Sequence, residues 1–124
     1  MYNKVEKWLD EVFAKTSEEN ITAVAFNLYE DEPNTEWSME VVGTGSFDME
    51  DDDWACDEVT DFGTRDVPFS WKENADWSEI FSKMSAVVSE YLQKGKYAGK
   101  LKSYNGIAIG FVDGDLEILY FKGE

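Results

Sequence analysis

Between Asp48 and Asp61 the chain reads DMEDDDWACDEVTD, and eight of these fourteen residues are acids: Asp48, Glu50, Asp51, Asp52, Asp53, Asp57, Glu58 and Asp61. Carboxylates at this density have three chemical uses. They can ligate a hard cation, exchange protons in pairs, or present a negative field to a cationic partner. The first use is tested by spacing. Asp48-Met-Glu50-Asp-Asp52 starts like a calcium-binding EF-hand loop, but the sixth position is Asp53 where the turn needs glycine. The twelfth is Val59, so no bidentate glutamate closes the loop. No metal site is read here beyond weak, adventitious divalent-cation binding.

Proton chemistry is narrowed by what the chain lacks. It contains no histidine, which removes the commonest general base, the Ser-His and Cys-His pairs and imidazole metal ligands together. Its one cysteine, Cys56, sits among Asp53, Asp57 and Glu58, a setting that opposes a further negative charge. It is expected as a small buried residue and not as a nucleophile. A single cysteine also forms no intrachain disulfide, which suits a reducing cytosol. A glycosidase-like pair of acids stays open in principle among 27 acidic residues, but nothing singles one out. No P-loop, GxGxxG or GxSxG is present, and neither a catalytic residue nor a cofactor is assigned.

The third use is favoured by where the charge lies. The net charge is −16 over 124 residues, a self-repulsion that works against the compact state. Residues 1–62 hold 18 acids against 3 bases, a net of −15, while residues 63–124 hold 9 against 8, a net of −1. A chain acidic only for solubility would spread the excess more evenly. Phosphate backbones would be repelled and there is no stripe of Lys and Arg, so direct nucleic-acid binding is not expected. A basic protein is the natural complement. The plainer explanation is a solvated loop whose tryptophans belong to the core.

The elements around the acids read as follows. Asn3 and Glu6 match a capping pair, and Val5, Trp8, Leu9, Val12 and Phe13 make one helical face ending near Lys15. This start is an amphipathic helix and not a signal peptide. No apolar run approaches the roughly 18–20 residues that span a bilayer. Ile21 to Tyr29 and Thr35 to Val42 are expected as an antiparallel hairpin around a turn at Glu30–Asn34. Trp37, Met39 and Val41 face inward, and Glu36, Ser38 and Glu40 face solvent. Trp54 to Phe62 is expected as a short third strand at a sheet edge, where charge commonly protects. Gly63 to Trp71 connects onward, with Phe69 and Trp71 pinned to the core.

Asp76 and Glu79 cap the longest helix, whose stripe runs Trp77, Ile80, Phe81, Met84, Val87, Val88, Tyr91, Leu92 to a C-terminal Gly95. Lys94 to Lys102, the one basic stretch, is expected as a loop. A final hairpin pairs Ile107, Ile109 and Phe111 with Leu116, Ile118 and Tyr120 across an Asp113-Gly114 type I′ turn. It is apolar on both faces and so expected to be central or covered. Gly106 and Gly110 mark places where a neighbour comes close. The order α-β-β-(β)-α-β-β predicts a single α+β domain over residues 1–124, an antiparallel sheet of four to five strands carrying two helices.

Three features together resemble the small acidic immunity proteins of bacteria: the ridge around Trp54-Ala-Cys-Asp-Glu-Val59, the capped amphipathic helix, and the closing Gly106-Ile-Ala-Ile-Gly-Phe-Val-Asp-Gly-Asp115 hairpin. The likeness is one of size, charge and element order over most of the chain, with no single diagnostic motif. It implies a cytoplasmic, non-enzymatic antidote that blocks a basic cognate toxin, often a nuclease, delivered by secretion or contact. The residues themselves nominate Asp48, Glu50, Asp51, Asp52, Asp53, Asp57 and Glu58 as contacts, with Trp54 as an anchor provided it is exposed. Two alternatives stand beside this: a small carboxylate-based enzyme or ligand-binding domain, and an adaptor whose charge serves solubility.

Overall fold

The computed structural model describes residues 1–15, 20–112 and 114–122. Helix α1 (Tyr2–Ala14) buries Val5, Leu9 and Phe13 at every fourth position, as the periodicity requires. Its start differs from expectation. Asn3 lies inside the helix, and the cap is Met1, whose carbonyl accepts from Lys4 and Val5 at 3.1 and 3.2 Å. The helix gains two residues at its start, where the Tyr2 ring lies 4.8 Å beneath the Lys94 ammonium of another helix and the Tyr2 hydroxyl donates to Glu6 one turn on.

Strands β1 (Ala23–Glu32) and β2 (Glu36–Thr44) form the expected antiparallel hairpin, from Ala23↔Thr44 to Glu30↔Trp37. β1 runs three residues past the expected Tyr29, because it is Pro33 that ends the ladder. Asn34 then takes a left-handed φ of 59°, which asparagine tolerates, with its N–H donating to Glu30. The outer edge of β2 is shared. Residues β3 (Glu58–Thr60) pair with its Gly43–Thr44 end and β4 (Phe69–Lys72) with its Glu36–Met39 end.

The largest departure is in strand direction. β5 (Gly106–Phe111) lies on the other side of β1 and runs parallel to it, Ala23↔Gly106 through Leu28↔Phe111. A strand that follows a helix crossing the sheet returns in the original direction, which is what α2 (Trp77–Lys94) makes the chain do. β6 (Glu117–Phe121) then pairs antiparallel with β5 and forms the edge, so of the closing hairpin β5 is interior and buried on both faces, as expected, while β6 is not central. Its tip residue Asp113 falls outside the described residues. The fold is α+β with a mixed six-stranded sheet, β3-β2-β1-β5-β6 with β4 beside β2. It replaces the expected all-antiparallel sheet of four to five strands.

One face of the sheet carries the helices. Val24, Phe26, Leu28, Trp37, Met39, Val41, Ile107 and Ile109 pack against α1, α2 and the short α3 (Ala98–Leu101), which lies in the stretch expected as a loop. Asp76 and Glu79 form the capping box reciprocally. Gly95 closes α2 without the expected left-handed turn, at φ −72°; glycine is needed because the Tyr91 ring fills the space a side chain would take. The other face is built of small residues, Ala23, Ala25, Val42 and Ala108, and is covered by Trp54 and Phe47. Both close approaches expected at glycine occur: Phe47 sits against Gly106, and the Asp115–Leu116 backbone against Gly110. Among the described residues no helix is long and apolar enough to cross a membrane.

Candidate protein-binding ridge

The acidic segment is ordered by contacts made from beneath and by its own backbone. Phe47 and Trp54 meet edge to face, centroids 4.9 Å apart, over the small-residue floor of the sheet. Trp54 is 3% exposed. The expectation that it anchors a partner is therefore corrected: its indole fills the recess left by four small side chains and anchors the loop inward. The segment 52–56 is a turn of 3₁₀ helix and not the start of a strand. At three residues per turn, burying Trp54 turns Cys56 outward, so the cysteine is exposed where a buried one was expected.

Two aspartates fold the backbone around this anchor. Asp48 accepts from the Glu50 N–H at 2.8 Å, and Asp51 caps the 3₁₀ turn by accepting from the Asp53 N–H at 3.0 Å. The turn closes through Asp57 N–H to the Trp54 carbonyl, and Gly45 N–H to the Asp57 carbonyl joins the two ends of the loop at 2.9 Å. Beyond β3, Asp61 accepts from Gly63, and the buried Thr64 hydroxyl accepts from the Val41 N–H at 3.0 Å.

Asp48, Glu50, Asp51, Asp52, Asp53, Asp57 and Glu58 are all exposed. The ion pairs among the described residues engage only Glu58 of these seven, through Arg65 at 2.7 Å. Among the described residues the other six form no ion pair. Among the described residues no group of three or more potential ligands is arranged to hold a metal ion. The ridge thus offers an uncompensated negative surface on a backbone that is already folded.

Comparison with protein-family models, curated proteins and solved structures finds no match. The geometry of the chain itself must carry the functional reading.

Periodicity missed one feature behind the ridge. Glu40 and Ser38, expected to face water, are 3% and 7% exposed. The segment between β3 and β4 folds over that face and brings Arg65, whose Nε meets Glu40 Oε1 at 3.1 Å. Glu40 Oε2 accepts from the Tyr29 hydroxyl at 2.7 Å and Asn27 Nδ2 at 2.9 Å. Burial would raise the Glu40 pKa, but hydrogen bonds from Arg65, Asn27 and Tyr29, with the Arg65 charge, bring it below its ordinary value. The Tyr29 hydroxyl is pushed up to about 12 by burial, by its hydrogen bond to Glu40 and by that carboxylate's charge. Glu40 is a carboxylate held ionised to grip a loop, not one kept protonated to give a proton away. Arg65, the chain's one arginine, then ties it to Glu58 on the ridge. A lone arginine in an acidic chain was the available signal; its partners, 7 and 25 residues away in sequence, were not legible.

Proposed function

We propose that this protein binds and blocks a basic protein partner, in the manner of the bacterial immunity proteins it resembles, through the carboxylates of Asp48, Glu50, Asp51, Asp52, Asp53, Asp57 and Glu58. The observation that carries the reading is that six of these are exposed and form no ion pair among the described residues, on a loop pinned by Trp54 and Phe47. A preorganised surface loses little ordering entropy on binding. Complementary charge raises association to about 10⁸–10⁹ M⁻¹s⁻¹ at low salt, against about 10⁵–10⁶ for an unsteered pair. A nuclease toxin holds phosphates in a cationic groove, and a line of carboxylates occupies such a groove without chemistry of its own. In this reading the protein works in the cytoplasm, where its toxin acts, and Trp54 supports the contact surface without touching the partner.

The rival reading, a carboxylate enzyme, calls for two acids converging in a pocket. The groove between α2 and the end of the β1–β5 pairing holds two acids, Glu30 and Asp115, both exposed, and Glu30 is engaged by Asn34. The buried carboxylate, Glu40, has its oxygens filled.

The test compares the wild-type protein with the fourfold variant Asp48→Asn, Asp51→Asn, Asp52→Asn, Asp53→Asn. Asparagine keeps the acceptor oxygen of both turns, so the loop stays folded while its charge falls. A partner captured by the wild type from its host should be basic, toxic when expressed alone and harmless when co-expressed. Its association rate should fall steeply between low and physiological salt and drop about tenfold or more in the variant. An association rate insensitive to both salt and the substitutions would overturn the ridge mechanism.

A further inference from the structure

The opposite end of the sheet holds a feature the ridge does not use. The parallel pairing of β1 and β5 finishes at Leu28↔Phe111, and there the first two turns of α2 stand away from Val112, Gly114 and Asp115. The groove between them has a volume of about 930 Å³. Its apolar wall is Leu28, Phe81, Phe111 and Trp77. Trp77 begins α2 and was expected on the core stripe, yet it is 60% exposed, and Val112 across the groove is 49% exposed.

Trp77 is held without being covered. Its ring and that of Phe111 stand at 90° with centroids 6.3 Å apart, and Phe111 in turn meets the buried Trp37 at 6.0 Å. This chain of three rings fixes the indole while leaving a face to solvent, the arrangement that serves an interface anchor at small entropic cost. The charged residues lining the groove are Glu30 and Asp115; none is basic. A bare helix N-terminus would favour an anion, but Asp76 and Glu79 answer the free N–H groups of α2 with carboxylates. Asp31 and Glu32 continue β1 beyond the groove as exposed acids.

The geometry points to a second docking surface, which takes a peptide segment of a partner protein carrying aliphatic side chains beside lysine or arginine. The aliphatic group packs against Phe111, Phe81 and Trp77. The cation is drawn to Glu30, Asp115 and the indole face, where cation–π attraction adds to the carboxylate field. A peptide fits better than a small molecule, because ligand pockets enclose most of their guest. A wall whose main aromatic is 60% exposed would leave a small guest largely in water. The surface lies outside the ridge, so it stands or falls separately from the blocking function.

The experiment titrates the ¹⁵N-labelled full chain with an acetylated, amidated hexapeptide alternating leucine and lysine. Two controls are the leucine–glutamate peptide and the serine–lysine peptide. Saturable shifts are expected at the Trp77 indole N–H and the Phe111 and Val112 amides. Affinity should weaken at least tenfold in Trp77→Ala and about threefold or more in Asp115→Asn. The asparagine variants of the ridge should leave it within twofold. Neither control should saturate. Equal binding of the serine–lysine peptide would reduce the effect to bulk charge and overturn the proposal. So would shifts confined to residues 48–58, or binding unchanged in Trp77→Ala. Tetramethylammonium matching the hexapeptide in affinity would assign the groove to a small cation instead. Self-association in sedimentation that Trp77→Ala abolishes would assign it to a second copy of this chain. Either result overturns the peptide reading.

Discussion

Where β1 and β5 begin, the protein hides an aromatic ring and displays charge; where they end, it displays an aromatic ring and keeps charge to the rim. The same parallel pair spans both places, from Ala23↔Gly106 to Leu28↔Phe111. At the first end Trp54 is 3% exposed beneath exposed carboxylates; at the second Trp77 is 60% exposed between Glu30 and Asp115. The difference comes from what lies below each ring. Four small side chains make a recess that swallows Trp54, whereas Trp77 stands at the first residue of α2, in a T-shaped contact with Phe111, the last residue of β5. An aromatic placed over small residues builds a platform. One placed beside the last residue of β5, with nothing packed over it, builds a contact.

The largest expected effect breaks the platform. Trp54→Ala should cost about 3–5 kcal/mol in urea unfolding, the range for emptying a buried aromatic site. Amide exchange at residues 48–58 should accelerate more than in β1. Trp54→Phe should cost far less, about 1–2 kcal/mol, because the buried indole Nε1 has no hydrogen-bond partner to lose. Equal costs for the two variants would show that the indole N–H, and not the ring's volume, holds the loop.

Next is the tie between platform and sheet. Arg65→Met leaves Glu40 buried without its cation and frees Glu58. Breaking a fully buried pair costs about 3–5 kcal/mol, but the Arg65 side chain is 51% exposed, so about 1–2 kcal/mol is expected. Backbone protection in β3 should fall while protection in β5 holds. If the loss spread evenly over the sheet, Arg65 would be part of global stability and not a clasp on the ridge.

Much of this contrast was visible in the residues, and the part that was not has a common cause. Local periodicity located both long helices, the capping box at Asp76 and Glu79, and the β1–β2 hairpin with Trp37, Met39 and Val41 inward, because neighbours in sequence decide those features. Alternation assigned Glu40 correctly to the face opposite Trp37. It could not say that a loop carrying Arg65 would cover that face. The carboxylates around Trp54 left it open between exposed anchor and core residue, because the residues that bury it lie in β1, β2 and β5. Trp77 read as core because its spacing fits the stripe of α2. Spacing knows nothing of where the sheet ends. The parallel β1–β5 pairing was missed for the same reason, since its partners, from Ala23↔Gly106 onward, lie far apart in sequence and the α2 crossover sets their direction.

A smaller effect separates the clasp by pH. The folded Glu40 pKa lies below its ordinary 4.5, so its stabilisation is complete above that value and is lost as pH falls through the lower folded one. The stability gap between wild type and Glu40→Gln should therefore narrow as pH drops below 4.5. Tyr29 runs the other way. Its pKa is raised from 10 to about 12, so the advantage of the neutral phenol is complete below pH 10 and is lost as pH rises through about 12. Unfolding of wild type and Tyr29→Phe should converge over that alkaline window. A gap for Glu40→Gln that stays constant from pH 7 to pH 3 would mean its hydrogen bonds do not favour the ionised form.

The smallest effect is the sharpest discriminator between the two ends. Trp77→Ala should change unfolding free energy by about 0.5 kcal/mol or less, since exposed positions away from caps and cores are nearly neutral. Its indole is 60% exposed, and the capping box beside it uses Asp76 and Glu79. The helical stripe places Trp77 in the core, which predicts the opposite: a cost like that of Trp54→Ala. Measured side by side, Trp54→Ala and Trp77→Ala should differ severalfold in cost, with Trp77→Ala the milder. A loss of 2 kcal/mol or more for Trp77→Ala would mean that the rings Trp37, Phe111 and Trp77 form one continuous core. The groove would then be a fold in packed structure, with no anchor free to meet a partner.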